Sequence, residues 1–345
     1  MHALILAGGK GTRLRPLTVY TPKPIVPVMN RPFLLYQIDI LRKAGITDIT
    51  LSLSYQPDKI EQVLGDGSDF DVDLKFLTEP HPLGTAGAYR FASEYLNDTT
   101  VVLNGDILTN ADIASIAAFH KQSNAEATIA LAPVEDPWNF GLVETDKENR
   151  VRQFVEKPDP KEAAKKKLSN INAGIYILEP SVRKLIPKEE NRSFEYHVFP
   201  DLLEKKHNFF AYHLKGEYWR DLGTPHSYLA AHLDFLGDRI RGFELPPLDQ
   251  TEIATHAHVE RSLIGEDCVI KPNVEIVNSV LGSGVHVEEK TRIENSVIWA
   301  HTRVASNASL NGAVVARSCH IGRNTVVREG TVLGDKASIP DYSRI

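Results

Sequence analysis

Five side chains in this sequence are suited by type and setting to chemistry on phosphates: Arg13, Lys23, Lys157, Asp106 and Asp221. Arg13 closes the stretch Leu4-Ile5-Leu6-Ala7-Gly8-Gly9-Lys10-Gly11-Thr12-Arg13, Lys23 follows it, and Pro22 and Pro24 stiffen the segment around Lys23. Lacking Cβ atoms, Gly8, Gly9 and Gly11 let backbone N–H groups close in on a bulky anion. Peptide donors combined with fixed cations (Arg13, Arg15, Lys23) are what a polyphosphate needs. The pattern is neither the Walker loop, which requires Gly-Lys-Ser/Thr, nor the dinucleotide Gly-x-Gly-x-x-Gly. Asp106 closes Leu103-Asn104-Gly105-Asp106, and Asp221 sits in Trp219-Arg220-Asp221-Leu222-Gly223. Each ends a strand-like run beside glycine, which leaves room for a ligand. Such carboxylates suit Mg²⁺, which takes one or two of them and keeps waters and substrate phosphates in the rest of its shell. The plainer role for either residue alone is to cap a helix.

The elements that must position these groups are legible from periodicity. The chain has 345 residues, 42% hydrophobic and 24% charged, enough for two domains with ordinary cores. Its net charge of −6 argues against a nucleic-acid-binding surface, so any phosphate-binding cations must be placed locally. No apolar run approaches the length of a membrane span, and Met1 leads straight into a strand without a signal pattern, so a cytoplasmic location is expected. Through the first two-thirds, strands alternate with helices. A helix with Leu34, Leu35, Ile38 and Leu41 on its apolar face is followed by strands at Ile49–Tyr55, Leu74–Thr78 and Val101–Leu103. Helices are expected from the turn at 81–85 through Tyr95 and from about Ala111 to Gln122. This rhythm predicts a parallel sheet with ligands beyond the C-terminal strand ends, where both the glycine loop and Asp106 fall. Further strands are expected at 128–132, 141–144, 151–155, 175–178 and 209–214, interrupted by a helix from Phe194 to Glu204. Thr224 and Pro225 are a good N-cap and first position for a helix reaching about Leu236.

The remainder is a repeat. Aliphatic residues recur from Ile264 to Leu333 in steps of six, six and five, so one circuit takes 17 residues and only the last slips by one. Four residues after each comes a small or β-branched residue, among them Cys268, Val285, Thr302 and Cys319. The two cysteines stand three circuits apart at one inward position. At about 4.8 Å per coil they lie too far apart for a disulfide, and they are core filler.

The string of glycines, cations and prolines from Leu4 to Pro24 closely resembles the signature loop of sugar-1-phosphate nucleotidyltransferases. Residues 251–345 resemble a hexapeptide-repeat left-handed β-helix. The resemblance implies an α/β fold: a Rossmann-like catalytic domain (1–238) with a mixed, mostly parallel sheet, a linker (239–250), and a C-terminal left-handed parallel β-helix (251–345). It implies that Arg13, Lys23, Asp106 and Asp221 are catalytic, with Asp106 and Asp221 holding Mg²⁺. It implies nucleotide contacts from Leu6, Ala7, Gly8, Gly9, Gly11, Thr12, Arg13, Lys23, Glu79, Pro82, Gly84, Thr85, Ala86 and Asp106. Gly141, Glu156, Lys157, Asn172 and Gly174 match segments that line the sugar-phosphate pocket in relatives; for Glu144 a solvated strand position is expected. Glu79 stands where relatives read the base edge. An ionised glutamate only accepts hydrogen bonds, and guanine presents two adjacent donors, so GTP is the expected donor. The resemblance implies mannose 1-phosphate as the acceptor. Thymidylyl or uridylyl transfer to glucose 1-phosphate is the alternative. Acyl transfer through His286, His301 or His320 and a non-catalytic nucleotide-sugar-binding role are the readings from other classes. A homo-oligomer is expected, with the β-helix stabilising or joining subunits.

Overall fold

The computed structural model describes all residues except Glu94, Asn97, Glu135, Asp136, 160–169 and 247–251. The last four residues of the expected linker, and Thr251 after it, lie outside the described residues. The chain forms two compact units: Met1–Gly9 with Gln37–Trp219, and Lys10–Tyr36 with Arg220–Ile345.

The first unit is built on a nine-stranded sheet. Its strands are β1 (His2–Leu6), β2 (Asp48–Leu53), β3 (Asp73–Thr78), β4 (Thr100–Asn104), β5 (Ala127–Pro133), β6 (Gly141–Thr145), β7 (Val151–Glu156), β8 (Asn170–Leu178) and β9 (Phe209–His213). The main path runs β7-β6-β8-β4-β1-β2-β3, with β5 pairing both β8 and β9. The block β4-β1-β2-β3 is parallel, whereas β8 runs antiparallel to β4 and β5. The sheet is mixed, as expected. Val101, Val102 and Leu103 are consecutive and wholly buried, so this part of the sheet is covered on both faces. Helices α1 (Leu34–Lys43), α2 (Pro57–Leu64), α3 (Gly84–Ala92) and α4 (Ile113–Gln122) follow the expected rhythm, with α3 stopping three residues short of Tyr95. The stretch expected as one helix, Phe194–Glu204, opens instead as a π-helical turn over Phe194–Val198 before becoming α5 (Phe199–Glu204). Its aromatic rings explain the anchoring. Phe194 stacks on Phe199 and Phe199 on Phe209, at centroid distances of 5.6 and 5.2 Å, inside a core that also holds Tyr89 and Tyr176.

The second unit joins residues 10–36 to α6 (Pro225–Leu236) and a parallel β-helix. Three stacked sheets of short parallel strands make its faces. Registers advance by 17 residues, as in Val269↔His286 and Ile276↔Ile293. The last circuit advances by 18, pairing Val314 with Val332 and His320 with Ser338, so the slip seen in the sequence is a one-residue insertion. Cys268 and Cys319 are free and buried in this core. Among the described residues, no helix is long and apolar enough to cross a membrane.

His232 on α6 is buried, with Nδ1 2.9 Å from the Tyr228 carbonyl, and burial pushes its pKa down to about 4. An unfolded histidine titrates near 6.5. Between these values the unfolded chain binds a proton that the folded chain refuses, so stability is lost as pH falls from about 6.5 toward 4. Thermal melts from pH 7 to 4.5 are therefore expected to decline less steeply for His232→Gln than for wild type.

Candidate active site

In the first unit the site begins where β1 and β4 run side by side. Leu6 pairs with Asn104, and the Gly105 N–H donates to the Leu6 carbonyl at 2.9 Å. A Cβ on Gly105 would stand 2.6 Å from that oxygen and 2.9 Å from Ala7 Cα, so only glycine permits this approach. The turn bearing Asp106 is thereby pressed against the chain leading to Gly8 and Gly9. Gln37, 1% exposed on α1, braces it from behind: its Nε2 donates to the Asn104 and Ile107 carbonyls, both at 2.8 Å. Sequence reasoning missed Gln37, because a glutamine inside an amphipathic helix carries no local signal.

A pocket of about 230 Å³ opens beside this turn, lined by Leu6, Gly8, Gly9, Ser54, Glu79, Pro82, Gly84, Thr85 and Ala88. Seven of these nine are expected nucleotide contacts; Ser54 and Ala88 are additions, while Ala86 is fully buried in α3. Glu79 follows β3, and its carboxylate is held in place. Ser52 Oγ donates to Oε1 at 2.9 Å and the Leu83 N–H donates to Oε2 at 3.1 Å. A Cβ on Gly8 would come within 3.0 Å of Glu79 Oε1 and of Ser54 Oγ, so Gly8 keeps this wall open.

The expected sugar-phosphate residues occupy β6, β7 and β8. Asn172-Ala173-Gly174 falls where the β8–β5 pairing shifts register, a bulge of the kind that re-aims side chains. Gly174 has φ 70°, its N–H donates to Asn172 Oδ1 at 2.9 Å, and a Cβ there would meet Asn104 Nδ2 at 2.9 Å. Gly141 leaves space for the Glu156 carboxylate and the Phe154 ring, each within 2.7 Å of where a Cβ would lie. Lys157 adopts φ 45°, uncommon for a residue with a side chain, and its exposed Nζ is 3.9 Å from Glu156 Oε1. Glu144 is exposed, as expected of a solvated strand position.

Two groups not foreseen complete this region. Asn172 Nδ2 donates to the Tyr176 hydroxyl at 2.9 Å, and that hydroxyl lies 3.5 Å from Glu195 Oε1. Thr85 Oγ1 donates to Glu195 Oε2 at 3.1 Å and accepts from the Phe194 N–H at 3.0 Å. Glu195 thus links the first turn of α3 to the bulge in β8. It rides on the π-helical turn, a local geometry frequent at functional sites and invisible to helical periodicity.

The second unit carries Gly11, Thr12, Arg13, Lys23 and Asp221. Gly11 has φ 61° and starts the single 3₁₀ turn Thr12–Leu14; Thr18 Oγ1 closes the loop on the Gly11 carbonyl at 2.7 Å. A Cβ on Gly11 would stand 3.0 Å from Lys23 Cβ, so the loop folds back on itself at that glycine. Lys23 is 8% exposed within the turn Lys23–Ile25, whereas Arg13 is largely exposed with Nη1 3.9 Å from Asp221 Oδ2. The strand end bearing Asp221 is tightly held. Arg220 grips buried Asp234 of α6 through Nε and Nη2 at 3.1 and 2.7 Å, and Ser227 Oγ donates to the Asp221 carbonyl.

Asp106 and Asp221 supply hard oxygen donors. Among the described residues no three His, Cys, Asp or Glu side chains are grouped to cage a metal. Each of Asp106 and Asp221 is the kind of carboxylate that serves a divalent cation whose remaining ligands are waters and substrate phosphates.

Residues 2–237 match the family described as nucleotidyl transferase, and residues 249–345 match the EIF2B subunit epsilon left-handed β-helix domain. The chain belongs to the nucleotidyl transferase family and is an enzyme of the sugar-1-phosphate nucleotidyltransferase class. It is 37% identical over 278 residues to a mannose-1-phosphate guanylyltransferase of Mycobacterium tuberculosis, spanning 80% of this chain and 73% of that protein. A mannose-1-phosphate guanyltransferase of Debaryomyces hansenii is 40% identical over 242 residues, 68% of this chain and 65% of that one. Among solved structures, one described as a glucose-1-phosphate thymidylyltransferase from Bacillus anthracis superposes with a TM-score of 0.62 at 26% identity, covering 71% of this chain and 98% of that one.

Burial raises the pKa of Glu156, and the nearby Glu195 carboxylate adds to it while Lys157 opposes. The folded chain therefore holds this proton to higher pH than the unfolded chain does, and the ionised carboxylate costs stability above the folded pKa. Glu156→Gln should melt higher than wild type at pH 8, with the gap closing toward pH 4. The same substitution should raise KM for the sugar phosphate, and the pair of measurements separates a binding carboxylate from a structural one.

Proposed function

We propose that this enzyme transfers a guanylyl group from GTP to mannose 1-phosphate, releasing GDP-mannose and pyrophosphate. The observation that carries the choice of base is the Glu79 carboxylate at the wall of the 230 Å³ pocket. Ser52 and the Leu83 N–H engage one lone pair on each oxygen and orient the group, leaving acceptor capacity for guanine N1–H and N2–H₂. The acceptor sugar rests on the relatives named for mannose 1-phosphate.

A sugar phosphate oxygen attacks the α-phosphorus in line, and pyrophosphate departs. No general base is required, because a phosphate monoester with a second pKa of about 6 is largely dianionic at pH 7. Catalysis is then positioning and charge neutralisation. In this reading Arg13 holds the departing pyrophosphate, Lys23 the α-phosphoryl group, and Lys157 the incoming phosphate. Asn172, Gly174 and Glu156 orient the sugar, and the Gly8, Gly9 and Gly11 N–H groups meet the triphosphate. Mg²⁺ held by Asp106 and Asp221 would supply neutralising charge on the phosphates. A homo-oligomer acting in the cytoplasm completes the reading, and the mass in solution tests its first part.

Replacing either metal carboxylate removes charge that matters in the transition state. Asp106→Asn and Asp221→Asn should each lower kcat by roughly 10²–10³ without changing the melt. Near-normal turnover at saturating Mg²⁺ for either variant would remove that residue from the site.

The base is tested by kcat/KM for GTP, UTP and dTTP against mannose and glucose 1-phosphates. Wild type should prefer GTP with mannose 1-phosphate. Glu79→Gln puts an amide donor against a guanine donor, and a good bidentate base contact is worth about 1–3 kcal/mol, so GTP should lose roughly ten- to a hundred-fold. UTP and dTTP should gain. A wild-type preference for a pyrimidine nucleotide would return the assignment to the thymidylyl or uridylyl alternative.

A further inference from the structure

Residues 10–36 belong to the same compact unit as the β-helix, and buried contacts show how they are seated. After the turn containing Lys23, the chain makes a tight hairpin: Pro27–Val28 pairs with Arg31–Pro32, and Met29 and Asn30 between them have φ 47° and 60°. Two positive φ values in succession are the signature of a type I′ turn. Asn30 Nδ2 donates to the Leu281 carbonyl of the β-helix at 2.7 Å. The Pro27 carbonyl accepts from the Tyr228 hydroxyl of α6, which in turn accepts from Trp299 Nε1 at 2.9 Å. Trp299 directly follows an inward aliphatic position, Ile298, and so points out of its coil, yet it is 2% exposed. Arg317, about one circuit further along the chain, covers its ring at 5.7 Å. On the other arm of the loop, Pro16 packs on the last circuit: a Cβ at Gly334 would stand 3.1 Å from Pro16 Cβ.

We propose that the β-helix is a positioning element for catalysis, with Trp299 (through Tyr228 and Pro27) and Gly334 (against Pro16) fixing the loop that carries Arg13 and Lys23. The inference rests on the reading of that loop as the phosphate-binding segment. It goes beyond a role in stability or association, because it couples a coil of the appendage to the placement of two cations. Both contacts are well suited to this. The Trp299–Tyr228–Pro27 chain is buried, where a hydrogen bond left half-made costs the most. A side chain at Gly334 would press on Pro16, which would have to shift by a few tenths of an ångström to admit it.

The test compares full-length Trp299→Phe, which keeps an aromatic ring and deletes the N–H, with Gly334→Ala, which pushes on Pro16. Ile276→Val, deep in the β-helix core and away from these contacts, is the matched destabilised control. Each is assayed well below its Tm for kcat and for pyrophosphate affinity by calorimetry without sugar phosphate. A misplacement of about 1 Å can cost roughly a hundred-fold in rate, so these smaller shifts should lower kcat by about ten-fold. Pyrophosphate binding should weaken alongside, while Ile276→Val melts lower with wild-type kcat and affinity. Wild-type kcat and pyrophosphate affinity in both loop-seat variants would overturn the proposal, as would an equal loss in Ile276→Val. Arg13→Ala marks the other failure: if it binds pyrophosphate as wild type does, the loop is not the phosphate-binding segment and the proposal falls with that reading.

Discussion

The contact on which the first unit depends is the approach of Gly105 to the end of β1. A parallel pair of strands brings the two chain ends level, but a side chain at 105 would collide with the Leu6 carbonyl and Ala7. With glycine there, the N–H of residue 105 satisfies the Leu6 carbonyl, and the chain leading to Gly8 and the turn bearing Asp106 become one surface. Gln37 then spends both amide hydrogens on the carbonyls either side of that turn. With the backbone pinned at 104, 105 and 107, the position of Asp106 is set by the main chain on either side of it.

The acidic cluster around Glu156 shows the opposite economy. Glu156 is half-buried, close enough to Glu195 for their charges to repel, and sits beside a lysine in a left-handed conformation. Burial and the Glu195 charge both disfavour the ionised Glu156 carboxylate in the empty protein, and Lys157 favours it. On the proposed reading, a sugar's hydroxyls donate here to carboxylates that water has partly left, and desolvated acceptors bind more strongly than solvated ones. Glu195 extends the arrangement to Thr85, so a single side chain contacts both the helix beside the base pocket and, through Tyr176, the bulge of β8.

In the second unit regularity carries a different burden. Each 17-residue circuit repeats the same inward pair, and the stacked ladder leaves outward positions free to vary. Trp299 uses one of these positions to reach α6, and the carbonyl of Leu281 uses its spare lone pair to take a second donor from Asn30. A scaffold whose successive coils pair along its length is a good base for a loop that is rich in glycine and must nevertheless hold Lys23 nearly buried.

Much of this was legible in the residue order. The alternation of elements, the glycine loop, the pocket-lining segment from Glu79 to Thr85 and the circuit length of the β-helix with its single slip are all carried by local composition or strict period. Such features depend on contacts between near neighbours, or on one contact repeated many times, and both leave a pattern in one dimension. The division of the chain into units was not legible there, because residues 10–36 join α6 and the β-helix through single hydrogen bonds and a proline contact separated by 200 residues or more. Gln37, Glu195, Tyr176 and Trp299 escaped for the same reason. Each looks like an ordinary member of its own helix, turn or strand, and acquires its role from a partner that only folding brings within 3 or 4 Å. Sequence determined which chemistry the chain can present; tertiary structure decided which side chains hold that chemistry still, because bracing requires buried long-range contacts, and no local pattern encodes them.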